Sequence, residues 1–372
     1  MNRSTVVILG GGLSGLYAAY LLEKRGVHDY VLLEARPRLG GRLTTESAGN
    51  ARFDLGATWY WPEMQPQLDA VVRELGLATF HQHEAGSVFV EQTATTPVRR
   101  FEALPGASPP SLQIDGGMTT LVDAFAAHVP RAKVHLGHFV RRITQDGEFD
   151  TIVESAADDG TIFSVRTRHV LLAVPPRLVV NRIEFSPPLP SALAREWADC
   201  PTWMAPHAKY VAVFERPFWR GQGFSGSGRS YTGPMVEIHD ASPVEGEGAI
   251  FGFIGVPAVT RQRLPAESLI SLCRAQMGRL FGADALQPKA EWLKDWSQDE
   301  FTVTSADSEG ASGHANAPPP TAVADRWQGR FTGIASEWSE KFPGYVAGAI
   351  DAPARGLALM WERLAPKTAG QP

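Results

Sequence analysis

The chain has 372 residues, of which 44% are hydrophobic and 20% charged, a balance that excludes disorder as its main theme. That length is generous for one core, so two intertwined or consecutive units are expected. A formal net charge of -5, with basic residues no denser than the pairs Arg99 and Arg100 or Arg141 and Arg142, excludes a broad nucleic-acid-binding surface.

In chain order, "TVVILGGG" gives a short buried strand at 6–9 that runs straight into glycines. "LSGLYAAYLLEKRG" then places Leu13, Leu16, Tyr17, Tyr20 and Leu21 at helical spacing and stops at Gly26. "YVLLEA" is a second buried strand, completing a parallel crossover unit. Residues 54–66 are aromatic and irregular, and a helix "QLDAVVRELG" follows. Residues 82–113 read as short strands and a Pro-rich loop. "GGMTTLVDAFAAHV" is helical, and 133–176 alternates strands with turn signals as a β-meander. Beyond "FSPPLPSAL" lies a second mixed region, with the strand around Lys209, the strand "EGAIFGFIG" and the helix "AESLISLCRAQMGRLFG". The long loop at 302–320 is of a length that is usually functional or mobile. The chain closes with a strand "GRFTGIAS", a helix from about Tyr345 to Leu364 and a frayed tail, without internal repeats.

Cys200 and Cys273 form no CxxC pattern, which gives neither a disulfide framework nor a cysteine metal site and fits a reducing compartment. Three glycines break the N-terminal apolar run, and no apolar span of roughly 18 residues follows anywhere, so a soluble cytoplasmic protein without a membrane span is expected. The ten histidines show no HExxH, and His81 with His83 in an irregular stretch is a weak ligand pair, so no metal site is expected. "GFSGSG" lacks the strand-to-helix context of a nucleophile elbow.

Two features carry chemistry. Gly10, Gly12 and Gly15 give GxGxxG between strand and helix: the first allows the tight turn, the second lets backbone approach a pyrophosphate, the third permits helix–strand contact. The helix N-terminus, with Leu13 and Ser14, faces the anion. Glu34 ends the second strand 24 residues after Gly10, where a carboxylate can accept from ribose hydroxyls. Gly40, Gly41 and Arg42 follow as a second glycine turn bearing an arginine, which suits FAD better than NAD. The other feature is "HAKYVAVF". Lys209 alternates onto one face with Val211 and Val213, while Tyr210, Ala212 and Phe214 take the other. A lysine at the head of a run apolar on both faces sits at the strand end, snorkels to water, or is wanted for chemistry.

The combination "GGGLSGL", "LEARPRLGGR" and "FDLGATW" resembles the flavin-containing amine oxidase family, and the resemblance runs nearly end to end. It extends through "IDGGMTTLVDAFA", "KVHLGHFV", "HAKYVAVFERPFW", "WLKDWSQDEF" and "ASEWSEKFPGYVAGAI". It implies an α/β fold: an FAD-binding Rossmann-like (GR2-type) domain with a parallel sheet and β-meander, plus a smaller α+β substrate domain. The expected division is a discontinuous FAD domain at 1–64, 113–190 and 300–365, a substrate domain at 65–112 and 191–299, and a flexible tail at 366–372. The resemblance also implies that Glu34, Ala35 and Arg36, the loop Leu55, Gly56, Ala57 and Thr58, the backbone at Val140, Glu337, and the segment Gly344, Tyr345 and Val346 hold the cofactor.

The implied reaction is oxidation of the C–N bond of an amine or amino acid to an imine, which hydrolyses to a carbonyl and ammonia, with O2 accepting the electrons to give H2O2. The last helix, opening near Tyr345, would stabilise negative charge through its N–H groups. Tyr345, Phe342, Trp59 and Trp61 are the expected pocket aromatics, and Tyr345 matches one wall of an aromatic cage. Lys209 matches the lysine that holds a water beside the flavin and assists reaction with oxygen. Two departures stand out. "TVTSADSEGASG" has neither the cysteine that bonds FAD nor the second cage tyrosine of monoamine oxidases, so non-covalent FAD is expected. The stretch between "GATWYWP" and "IDGGM" is short, which implies a small lid and a site open to a bulky or carrier-bound substrate. The rival readings are a desaturase acting on a C–C bond of an apolar substrate and a degenerate flavin-binding interaction protein. The sequence leaves the oligomeric state open.

Overall fold

The computed structural model describes residues 1–102, 109–157, 159–309 and 316–364. The expected tail at 366–372, the middle of the 302–320 loop and part of the Pro-rich loop lie outside the described residues. Contacts divide the chain into two units, one of residues 1–42, 121–203 and 311–372, the other of 43–120 and 204–310.

The first unit is built on β1 (Asn2–Leu9), α1 (Leu13–Lys24) and β2 (Tyr30–Glu34). β1 lies between two parallel neighbours, β2 and Ile162–Leu172, so Val6, Val7, Ile8 and Leu9 are buried on both faces, as a continuous apolar run requires. Val134–Leu136 extends the sheet beyond β2, and Phe331–Gly333 adds in parallel to Ile162–Leu172. Antiparallel strands Phe139–Asp146, Asp150–Ala156 and Ile162–Leu172 form the expected meander. Trp197, Trp327 and Trp338 fill the core beneath it, and two of these indoles are satisfied by carbonyls, Trp197 by Pro319 and Trp327 by Pro187. The final helix, Gly348–Leu364, packs against α1.

The second unit holds a seven-stranded sheet in the order Ala290–Asp295, Ala208–Phe214, Gly248–Ile254, Met235–Asp240, Phe224–Ser230, Ser87–Glu91 and Arg99–Glu102. Every residue of Ala208–Phe214 is buried. Its two faces part as the alternation requires. Tyr210, Ala212 and Phe214 join a core with Cys273, Met277 and Leu280 of the helix Ala266–Phe281, while Val211 and Val213 meet Phe53, Leu55, Ala249 and Phe251.

That second contact explains where the units depart from the expected division. Phe53 and Leu55 bury against the seven-stranded sheet, so 43–64 groups with the second unit rather than with the dinucleotide fold. Leu193 and Trp197 join the core of the first, which takes 191–203 with it. The last helix also begins at Gly348, later than Tyr345, because Gly344 adopts a left-handed backbone with φ +81° and the preceding residues are spent on turns.

Candidate functional site

In the first unit the glycines between β1 and α1 divide by what surrounds them. A methyl added at Gly15 would lie 1.9 Å from the Gly10 carbonyl oxygen, so the contact of helix with strand itself demands glycine there. At Gly12 the nearest chain atom to such a methyl is the Gly41 Cα, 3.8 Å away. Chain packing therefore leaves Gly12 free to carry a side chain, and only close approach of a ligand calls for its absence. Gly12 also caps α1 without any side chain, which leaves the first-turn N–H groups to an anion.

The second glycine turn closes on the first. The Gly40 N–H donates to the Gly11 carbonyl at 2.9 Å, and Gly12 and Gly40 form a parallel bridge. Glu34 lies beneath, buried, its carboxylate accepting the N–H groups of Gly11 at 2.6 Å and Arg36 at 2.8 Å. The Arg36 guanidinium also pairs with Glu34 Oε1 at 3.8 Å, and a carboxylate, with about four lone-pair sites, can accept from a ribose diol as well. Glycine cradle, open helix N-terminus and half-satisfied acid fit the adenosine pyrophosphate of a dinucleotide. Val140, buried at the start of the meander, lies opposite Ser155 in the sheet register.

Arg42 has protein partners that the sequence did not indicate. Its guanidinium is paired with Glu337 through Nη1 to Oε1 at 2.6 Å and Nη2 to Oε2 at 2.9 Å, and it donates further to the Ser336 hydroxyl and the Trp203 carbonyl. The bidentate pair fixes the Glu337 carboxylate and the Arg42 guanidinium against each other. Beside it Trp203 packs against Gly344 and stacks obliquely on Tyr345, ring centroids 6.3 Å apart. Tyr345, Val346 and Phe342 are half-buried, and the Phe342 N–H is held by the Ser339 hydroxyl at 3.0 Å.

In the second unit Lys209 is 2% exposed, so it does not reach solvent, and the snorkelling reading falls. Its ammonium donates to the Gly56 carbonyl at 3.2 Å and to Thr58 Oγ1 at 2.5 Å, and lies 4.0 Å from the centre of the Phe251 ring. Burial pushes the amine down to about 7, opposed by the nearby Asp54 carboxylate. The same burial pushes Asp54 up to about 7, opposed by Lys209, the Met118 N–H and Arg52. The loop carrying both acceptors is anchored at Leu55, whose N–H donates to the Thr44 carbonyl and whose carbonyl accepts the Trp296 indole N–H at 3.2 Å.

Trp59 and Trp61 part company. Trp59 packs on Phe251 and His239, with centroids 5.2 and 5.0 Å away, in the cluster that also faces Lys209. Trp61 starts the turn into the helix Pro66–Glu74, its carbonyl accepting the N–H groups of Met64 and Gln65. Two members went unread in the sequence. Asp54 stood in plain view within "FDLGATW", and its signal was a carboxylate in an otherwise apolar segment. Trp203 lies in the irregular "CPTWMAP", where no periodicity marks a side chain's direction.

A glycine cradle between a parallel strand and a helix defines the class of the first unit, a Rossmann-like dinucleotide-binding fold. The model of the flavin containing amine oxidoreductases matches residues 89–353, and the chain belongs to that family; a model of the NAD(P)-binding Rossmann-like domain matches residues 8–75. Putrescine oxidase of Kocuria rosea is 26% identical over 80% of this chain and 83% of its own. A putative flavin-containing monoamine oxidase of Mycobacterium tuberculosis is 25% identical over 95% and 97%. For the fold, a solved cyclohexylamine oxidase from Brevibacterium oxydans superposes with a TM-score of 0.80 at 21% identity, covering 98% of this chain and 100% of that one. A solved putrescine oxidase variant gives 0.79 at 21% identity, over 97% and 99%. The protein is an enzyme of amine oxidation whose cofactor is FAD. Among the described residues no helix is long and apolar enough to cross a membrane.

Proposed function

We propose that the chain oxidises the C–N bond of an amine or amino acid to an imine, with O2 as electron acceptor and H2O2 as product, and that its FAD is non-covalent. The observation that carries the reading is Lys209, a buried amine held on Gly56 and Thr58. When bound, FAD would supply the two-electron redox chemistry of the reaction. The chain supplies the rest. Gly12, Gly40, Gly41 and the N-terminus of α1 hold the pyrophosphate; Glu34 holds the ribose; Glu337, fixed by Arg42, holds the stretch towards the ring. An ammonium has three N–H groups, and Lys209 spends two on its acceptors, which leaves one to hold a water for the oxygen step.

Tyr345, Trp203 and Phe342 offer apolar faces that receive an amine in its neutral form, since a ring face gives it no proton. Putrescine oxidase and cyclohexylamine oxidase among the similar proteins support a small aliphatic amine as the substrate class. The imine leaves to water, where it hydrolyses to a carbonyl compound and ammonia.

Anaerobic mixing of the purified yellow protein with aliphatic amines, diamines and amino acids tests the substrate class. Bleaching by an amine, followed by recovery of colour and one H2O2 per turnover on admitting air, is expected. Absence of bleaching by every amine overturns it. Acid precipitation should release all the flavin into the supernatant, and flavin left on the denatured chain contradicts non-covalent binding.

A further inference from the structure

We propose that Asp54 is a positioning residue for Lys209: it fixes the loop on which the amine is seated and governs the charge the amine carries. The seat comes first. Asp54 is the last residue of the strand Ala51–Asp54, and its buried carboxylate accepts the Met118 N–H at 2.9 Å. It packs so closely on Gly117 that a methyl added there would lie 3.0 Å from Oδ1. The chain leaves this anchor through Leu55 and reaches the two acceptors of Lys209, the Gly56 carbonyl and the Thr58 hydroxyl, within four residues. A shift of Asp54 therefore shifts both acceptors together.

The charge follows from what surrounds the amine. Gly56, Thr58 and the Phe251 ring are neutral, so none supplies a full counter-charge. Across the sheet on one side Lys209 is in register with Phe253, and beyond it Glu237, which is held at 2.9 Å by His239. On the other side it is in register with Lys294, whose ammonium turns to Asp299 at 3.1 Å and to the Trp296 ring. Arg52, earlier on the same strand as Asp54, acts on Asp54 and donates to the Thr120 hydroxyl. Asp54 is thus the carboxylate whose field reaches Lys209 within the buried layer. Stability alone does not call for two buried charges here, since apolar residues of similar volume would serve it at least as well.

The link to catalysis rests on the role given to Lys209 above, and the test separates the two. In holoenzyme labelled with 13C at lysine Cε, the Lys209 resonance is assigned by its loss in Lys209→Met and titrated in wild type and in Asp54→Asn. Removing the carboxylate charge should lower the midpoint by about one pH unit or more. The pH profile of reoxidation by O2 should move by the same amount. An unchanged midpoint overturns the inference. A lowered midpoint with an unmoved reoxidation profile upholds Asp54's control of the amine and overturns the oxygen-step reading of Lys209. Should Asp54→Asn fail to fold, thermal unfolding of Lys209→Met is compared with that of Lys209→Met/Asp54→Asn at pH 8. The double variant should melt higher, because the single one strands a buried carboxylate; an equal or lower melting temperature overturns the proposal.

Discussion

The two helix-facing glycines of the first turn offer a test that separates folding from cofactor binding. In Gly15→Ala the new methyl falls 1.9 Å from the Gly10 carbonyl oxygen and 3.3 Å from the Ala173 methyl. An ordinary contact begins at about 3.4 Å, so α1 must retreat by about 1.5 Å, and the obstacle is backbone that cannot rotate away. Overpacking of this kind costs about 1–3 kcal/mol, and this site belongs at the upper end. In Gly12→Ala the methyl meets nothing nearer than 3.8 Å, so only the poorer N-cap counts, about 1 kcal/mol or less. The same methyl stands where a pyrophosphate must approach the backbone. Loss of one charge-assisted hydrogen bond to phosphate is worth about 1.5–3 kcal/mol, roughly 10- to 150-fold in Kd. The assay is flavin titration together with urea unfolding of the flavin-stripped chains. Gly12→Ala should unfold near wild type yet bind FAD at least tenfold more weakly, whereas Gly15→Ala should lose stability with or without FAD. Wild-type affinity in Gly12→Ala, or equal destabilisation by both, refutes the division of roles.

Lys209→Met should slow reoxidation by O2 in stopped-flow while leaving anaerobic flavin reduction nearly intact, and an unaltered oxidative half-reaction removes the role assigned to the lysine. His169 is fully buried between the Gly329 carbonyl and the Thr332 hydroxyl, and burial pushes its imidazole down to about 4. The unfolded chain then takes up the proton first, so stability present above about pH 6.5 is lost as pH falls towards 4, about 3 kcal/mol in all. His169→Gln should flatten that part of the pH dependence of urea unfolding, and an undiminished slope assigns it to other groups. Arg261 is buried, pairs with both oxygens of Asp295 and donates to the Val256 and Pro206 carbonyls. Arg261→Ala should cost about 3–5 kcal/mol, and a loss under about 1 kcal/mol in denaturant unfolding contradicts the burial argument.

How much of this was legible follows from where each signal resides. The cradle was local: strand, GxGxxG, helix and Glu34 lie within 34 residues, and spacing alone brings them together. The alternation of "HAKYVAVF" likewise assigned Lys209 to the face of Val211 and Val213 without any knowledge of the fold. What spacing could not supply was the partner of each polar group. Nothing in the sequence paired Arg42 with Glu337, 295 positions away. Asp54 read as part of a motif until Lys209 came to lie in its field. The start of the last helix shifted because a left-handed Gly344 and the carbonyls of nearby turns decide where a helix begins. Sequence by itself determined the strand, glycine turn and helix of the cradle and that a dinucleotide is held, because those depend on neighbours along the chain, whereas the helix Ser305–Glu309 fell in a stretch read as loop. Tertiary structure alone decided which charges are paired and which buried, because the energy of a charge depends on its surroundings in space, and those come from remote segments.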